Sequence, residues 1–360
     1  MMDIVIKQRV TRPKNPPPIM SIGLGGIVHD AHYPAYKIAG FDVIGGFDID
    51  PSRAKMMQEK FSIPKIYSSI KELVQDAPHD VVFDVAVPGD AILDVLRQLP
   101  DGSAVLIQKP MGENLTQAEV LLLLCRQKNF AAAVNFQLRF APFIIAARDM
   151  IDRGLIGNIY DIEARIQVTT PWHLWKFLFP LPRVEILYHS IHYVDLFRSF
   201  VGNPTRVYAK TINHPASSNI TGGTRSTIIL DYGDNPRVNI STNHNHQYGT
   251  DKQESYFKFE GSKGAIKVTA GLNMNYPDGL PDKFEYILLD ELEAGWQTID
   301  INGSWFPEAF IGTMASLMHY ANGETTVLPT SVEDAIHTMA VVEAAYQSTQ
   351  DGGTAIKSSW

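Results

Sequence analysis

Three features of the chain carry chemistry by residue type and position. The first is the run Gly23-Leu24-Gly25-Gly26-Ile27-Val28, set between a short β run and a helical pattern. Glycines there permit a tight turn and let the backbone approach a pyrophosphate at a helix N-terminus. The second is Asp48, which closes the next β run. A carboxylate at that place accepts hydrogen bonds from a ribose diol and repels a 2′-phosphate. Ile49 beside it offers no cation, so NAD is favoured over NADP. A plain strand-to-helix turn and a capping aspartate are the alternatives for these two features. The third is Lys109, in Gln108-Lys109-Pro110, directly after a buried-type β run. Ligands of open α/β sheets bind at the carboxyl edge. An ammonium fixed there stabilises negative charge on oxygen as hydride leaves or arrives. The bland alternative is a solvated surface lysine.

The elements that must position these residues alternate in type. Residues 19–22, 41–47, 81–87, 104–107 and 131–135 read as strands. Helical patterns at 32–38, 51–61, 69–76, 91–99 and 116–127 fall between them, the last with Thr116 as N-cap and Glu119 as its capping-box partner. This predicts a doubly wound parallel sheet. A helix over 142–153 then ends at Gly154, and the pattern changes. Longer, alternating β runs at 159–169, 205–211, 224–232, 237–243, 256–260, 265–268 and 284–289 predict an antiparallel sheet with one covered face. A helix over 186–201 interrupts them, and helices over 307–321 and 332–350 close the chain. The expected fold is α/β: an N-terminal Rossmann domain and a C-terminal α+β domain with a large, mostly antiparallel open sheet. The expected division is a flexible arm over 1–16, a Rossmann domain over 17–140, and a substrate and oligomerisation domain over 141–360. The final helix is free to pack back toward the first domain.

Composition narrows the function class. With 360 residues, 45% of them hydrophobic, the chain suits two globular domains and not a disordered segment. Lys plus Arg number 31 against 39 Asp plus Glu, a net charge of −8, which is a poor match for gripping nucleic acid phosphates. A single cysteine, Cys125, excludes a disulfide framework and multi-cysteine metal sites, and points to the cytoplasm. No signal peptide or membrane-spanning run is seen. The pairs His244/His246 and His189/His192 have metal-ligand spacing, but no carboxylate pattern completes a site, so no metal is expected.

Taken in order, these pieces resemble the Gfo/Idh/MocA oxidoreductases, the family of glucose–fructose oxidoreductase and inositol dehydrogenase. The resemblance is carried by residues 22–28, His32-Tyr33-Pro34-Ala35, Phe47-Asp48-Ile49-Asp50-Pro51, Ala86-Val87-Pro88 and Gln108-Lys109-Pro110. It continues through 135–142, 153–157, 331–335 and 345–348, and spans almost all of 17–357. Gln108 stands where the family usually has Glu. The family's Asp-x-Gly-x-His-x-x-Asp segment is here Tyr188-His189-Ser190-Ile191-His192-Tyr193-Val194-Asp195, with Tyr188 at the Asp place and Ser190 at the Gly place.

The resemblance implies that His192 is the general acid/base and Lys109 its electrostatic partner. A neutral histidine can take an alcohol proton near pH 7. Tyr188, His192 and Asp195 share one helical face, which serves either catalysis or ordinary packing. Either the Tyr188 hydroxyl or His189 stands in for the missing Asp. The expected cofactor contacts are Gly23, Leu24, Gly25, Gly26, Ile27, Asp48, Val87, Pro88, Gln108 and Lys109. The expected substrate contacts are Asn135, Arg139, Trp172, His173, His189 and Asp195. Trp172, His173 and Trp175 either stack on a sugar ring or pack as a hydrophobic loop. The implied activity is hydride transfer between NAD(P) and a secondary alcohol or ketone of a sugar, sugar derivative or cyclitol, in a cleft between the domains of a homodimer or homotetramer. Two other readings stay open: glycoside cleavage with a recycled cofactor, and a non-enzymatic cofactor-binding regulator.

Overall fold

The computed structural model describes residues 5–353, which form two compact units. The first comprises the chain up to Arg153 together with Asp300–Met339. Its elements are β1 (Ile19–Ile22), α1 (Tyr33–Ala39), β2 (Val43–Phe47), α2 (Pro51–Phe61), α3 (Ile70–Gln75), β3 (Val82–Val85), α4 (Ile92–Gln98), β4 (Ala104–Ile107), α5 (Leu115–Gln127), β5 (Ala131–Val134) and α6 (Pro142–Asp152). The five strands are parallel, in the order β2-β1-β3-β4-β5. Every residue of β1, β3 and β4 is buried, as expected for a parallel sheet covered on both faces. This is the Rossmann arrangement, and it places the chain segments after each strand along one carboxyl edge.

The second unit comprises Gly154–Ile299 and the chain from Ala340 on. It contains β6 (Ile159–Gln167), α7 (Ile191–Val201), β7 (Arg206–Ile212), β8 (Arg225–Asp231), β9 (Arg237–Asn243), β10 (Glu254–Gly261), β11 (Gly264–Thr269), β12 (Lys283–Leu288) and β13 (Gln297–Ile299). They form one sheet ordered β13-β12-β11-β10-β6-β9-β8-β7, antiparallel throughout except for the pair β6–β9. Burial alternates along β8, β9 and β10, and α7 covers the inner face through Phe197 against Phe257 and Phe259.

The structure sets the following details. The helix α6 and, later in the chain, α8 (Glu308–Ala321) group with the first unit. Phe310, Met314 and Leu317 of α8 share one buried cluster with Ile19, Val28 and Tyr36, so α8 supplies core that strand–helix alternation alone does not reveal. The boundary between units falls inside the last helix, α9 (Val332–Asp351), whose first turns join the first unit. Residues 5–16 are laid onto the first unit rather than left as a free arm. Arg153 donates to Val5 O, Gln8 to Asp300 O, and Arg12 to Ala39 O. The N-cap of α5 is Asn114, which accepts from Gln117 N, because an amide two residues upstream of Thr116 reaches the orphan N–H first. The helix read over 186–201 begins with a π turn, Ile186–Ser190, before α7. Such turns concentrate at functional sites.

The turn after β1 divides labour among its glycines. Gly23 has φ +90°, and a Cβ there would lie 2.4 Å from Ala86 O. Its freedom is spent on packing against the end of β3. Gly25 and Gly26 have no atom within 4 Å of where a Cβ would stand. They leave open space at the N-terminus of the first helix, which begins at Gly26 and passes through a π turn, Val28–His32, into α1. Gly23→Ala is therefore expected to destabilise the fold by about 1–3 kcal/mol from backbone strain alone, while Gly25→Ala leaves the melting temperature in place. Thermal melts of the two variants check this contrast.

Candidate active site

In the first unit the predicted residues gather at the carboxyl edge of the sheet. Asp48 is buried just after β2, and its carboxylate is well supplied with donors. Leu24 N donates to Oδ2 at 2.7 Å and Asp50 N to Oδ1 at 2.8 Å. The aspartate thus ties the glycine turn to the end of β2 and is held in one orientation. Arg53, one turn into α2, lies 3.4 Å from Oδ1. Sequence reasoning weighed Ile49, which is 90% exposed, and missed this cation. The neighbouring Asp50 caps α2, accepting from Ser52 N and Arg53 N.

A dinucleotide fits these groups. The open positions at Gly25 and Gly26 admit a phosphate against backbone N–H groups of the helix start. The fixed carboxylate of Asp48 retains acceptor capacity for a hydroxyl. Val87 and Pro88 follow β3, and Lys109 follows β4. Lys109 keeps partial access to solvent, and burial lowers its ammonium to about 8. Its backbone N–H donates to Gln108 Oε1 at 2.8 Å.

Two expected substrate contacts are engaged elsewhere. Asn135 is fully buried, with Nδ2 3.2 Å from His32 Nε2 and Oδ1 accepting from Thr313 Oγ1 at 2.7 Å. Its amide serves the interior and offers no face to a ligand. The Arg139 guanidinium donates to Pro329 O at 2.7 Å and to Asp334 at 2.5 Å, which clamps the loop before α9.

In the second unit His192 lies on α7, nearly buried, and Asp195 on the same helix is buried. Tyr188 falls in the π turn and packs, as Trp172, Trp175 and Phe179 do, against the buried cluster of Leu178, Val184 and Ile220, its ring 6.1 Å from that of Phe177. His189 is edge-on to Trp172 at 5.4 Å, and its ring lies 4.4 Å from that of His244. His173 is exposed. His244 and His246 do not converge. His244 Nδ1 meets Thr170 Oγ1 at 2.8 Å, whereas His246 Nε2 meets Gly249 O at 3.1 Å. Among the described residues no group of three or more His, Cys, Asp or Glu is arranged to hold a metal ion.

A second residue that sequence reasoning missed is Glu185, fully buried at the start of the π turn. Ser190 Oγ donates to its Oε1 at 2.6 Å, and His244 Nε2 stands 3.4 Å from the same oxygen. Burial works against its charge, but His244, Ser190 and Ser226 outweigh that and hold its carboxyl below the usual glutamate range. Ser190, at the family's Gly place, thus has a use: its hydroxyl serves Glu185. The segment before it is anchored by Arg183, paired with both carboxylate oxygens of Glu343 at 2.7 Å. The only sequence signal for Glu185 was an acidic residue among Val184, Ile186 and Leu187.

A depressed folded pKa gives a definite sign. The stability Glu185 contributes is present above its unfolded pKa of about 4.3 and is lost as pH falls through the folded value. Glu185→Gln is expected to cost about 1.5–3 kcal/mol near pH 7. In urea titrations across pH the gap between variant and parent narrows in acid.

Family models match both parts of the chain. The family model described as "Oxidoreductase family, NAD-binding Rossmann fold" matches residues 19–136, and "Oxidoreductase family, C-terminal alpha/beta domain" matches 148–357. A D-apiose dehydrogenase of Rhizobium rhizogenes is 24% identical over 92% of this chain and 95% of its own length. A 1,5-anhydro-D-fructose reductase of Ensifer adhaerens is 26% identical over 68% of this chain and 73% of its own. An Agrobacterium radiobacter oxidoreductase, solved with NAD+, L-tartaric acid and magnesium, matches in fold with a TM-score of 0.80 at 21% identity. That match covers 94% of this chain and 98% of that one. With both domain models matched in order over nearly the whole chain, this protein belongs to the Gfo/Idh/MocA oxidoreductase family.

Proposed function

We propose that this oxidoreductase is an NAD-dependent dehydrogenase acting on a secondary alcohol of a sugar, sugar derivative or cyclitol. The observation that carries the reading is the shared edge of one parallel sheet. The glycine turn follows β1, Asp48 follows β2, Pro88 follows β3 and Lys109 follows β4. The relatives named for D-apiose and 1,5-anhydro-D-fructose support a carbohydrate substrate.

The bound nicotinamide supplies hydride acceptance and donation. The chain supplies the rest. Leu24 N and Asp50 N fix Asp48, so that its free acceptor capacity meets the ribose hydroxyls. The carboxylate supports NAD over NADP, since a 2′-phosphate would be brought against it, while Arg53 at 3.4 Å is a cation beside it that works the other way. The Lys109 ammonium holds the reacting oxygen and stabilises charge that develops there. His192 takes the hydroxyl proton during oxidation and returns it during reduction. Trp172 and His189 present aromatic faces to a sugar ring. The outer face of the second sheet, with Tyr208 and Ile229 exposed, supports a homodimer or homotetramer built through it.

The test is NADH formation with NAD and a panel of aldoses including D-apiose, sugar acids and inositols. Lys109→Met is expected to lower turnover by about 10²- to 10³-fold. In the parent the ammonium is the active form, so turnover falls as pH rises through about 8. Tighter calorimetric binding of NADP than NAD would overturn the cofactor assignment. Silence across the panel with NAD still bound would overturn the dehydrogenase reading.

A further inference from the structure

Beneath the turn that carries Lys109 runs a chain of buried polar groups whose hydrogen-bond directions can be fixed one by one. A backbone N–H only donates, so the Gln108 atom facing Lys109 N at 2.8 Å is Oε1. The Gln108 amide nitrogen is thereby turned onto His32 Nε2, 3.2 Å away. Asn135 Nδ2 stands at 3.2 Å from the same nitrogen, with its Oδ1 facing the Thr313 hydroxyl. Two amide donors aimed at one ring nitrogen make that nitrogen an acceptor. The proton of the ring is then on Nδ1, which donates to Asp84 Oδ2 at 2.8 Å. Tyr36 OH donates to the same oxygen at 3.0 Å. His32, Asp84 and Asn135 are fully buried, and Gln108 is 8% exposed.

We propose that Asp84 and His32 are positioning residues for Lys109, acting through Gln108. Asp84 selects the Nδ1–H tautomer of His32, the Nε2 lone pair orients the Gln108 amide, and Gln108 Oε1 holds the Lys109 backbone. The proposal rests on the assignment of Lys109 to the reacting oxygen. It also gives Gln108 a reason in this chain. A carboxylate at 108, as the family usually has, holds the Lys109 N–H equally well but offers His32 Nε2 no proton. With a neutral amide there, burial meets no compensating anion from residue 108, in keeping with the lowered Lys109 ammonium.

The chain can be broken at each end. Asp84→Leu removes the acceptor of the His32 Nδ1 proton and leaves the ring to carry its proton on Nε2, against the Gln108 donor. Gln108→Met removes the amide through which His32 acts. Because Asp84 acts through Gln108, the double variant Asp84→Leu/Gln108→Met loses no more than Gln108→Met alone.

The experiment uses the full chain. ¹⁵N-histidine NMR reads the His32 tautomer, assigned by the signal lost in His32→Gln. Hydrogen exchange reads the Lys109 amide, and kinetics use the best sugar of the panel. Expected are Nδ1–H in the parent, a fall in kcat of about 10- to 100-fold in each single variant, and faster Lys109 exchange. In Asp84→Leu the ring is Nε2–H. The double variant matches Gln108→Met in kcat and in exchange. An Nε2–H parent overturns the proposal, as does a folded double variant whose losses multiply those of the single ones. Single variants with parental kcat sink the proposal alone when Lys109→Met is inactive. Full turnover in Lys109→Met sinks the Lys109 assignment itself.

Discussion

A carboxylate taken out of water must be given donors or it will not stay charged. Asp48, Asp84 and Glu185 are buried to 7%, 0% and 0% exposure. Much of the site geometry is arranged to satisfy them. Asp48 takes N–H groups from both the glycine turn and the start of α2. Asp84, in the middle of the sheet, takes a histidine and a tyrosine from the first helix. Glu185 takes a serine from its own π turn and faces a histidine beyond the end of β9. The cost of an unpaired buried charge is what makes such ties specific, because a shift in any partner exposes the whole penalty.

The sequence made the first sheet legible because parallel strands buried on both faces read as continuous apolar runs, and Gly, Asp and Lys-Pro fall at their ends. The parallel sheet and the placement of Asp48 and Lys109 after its strands follow from that pattern, whereas the strand order comes from the structure. The second sheet was legible for most of its strands, though β13, three residues long, gives no usable period. What was hidden depends on contacts distant in sequence. His32 looked like part of a helical motif and is the centre of a buried network. Glu185 looked like one acid in an apolar stretch. Arg53 lies one helical turn past the window in which a cation beside Asp48 was sought.

The π turn before α7 belongs to the same lesson. Composition favours a plain helix over 186–201, and nothing local reports the wider turn. Within it sit the three departures or additions that distinguish the segment: Tyr188 beside Phe177, His189 against His244, and Ser190 bonded to Glu185. Local propensity yields here to the satisfaction of a buried acid and the packing of a ring.

The division of the first unit into two stretches of chain bears on how it is made. Its core is not complete until Phe310, Met314 and Leu317 are available to cover Ile19, Val28 and Tyr36. During synthesis the five strands therefore emerge with part of one face bare, while the whole of the intervening unit is still to come. Domains usually mature from the N-terminus onward. Here the cofactor-binding unit is the one that waits, and the apolar surface it shows in the meantime is the interval in which a chaperone has the most to hold.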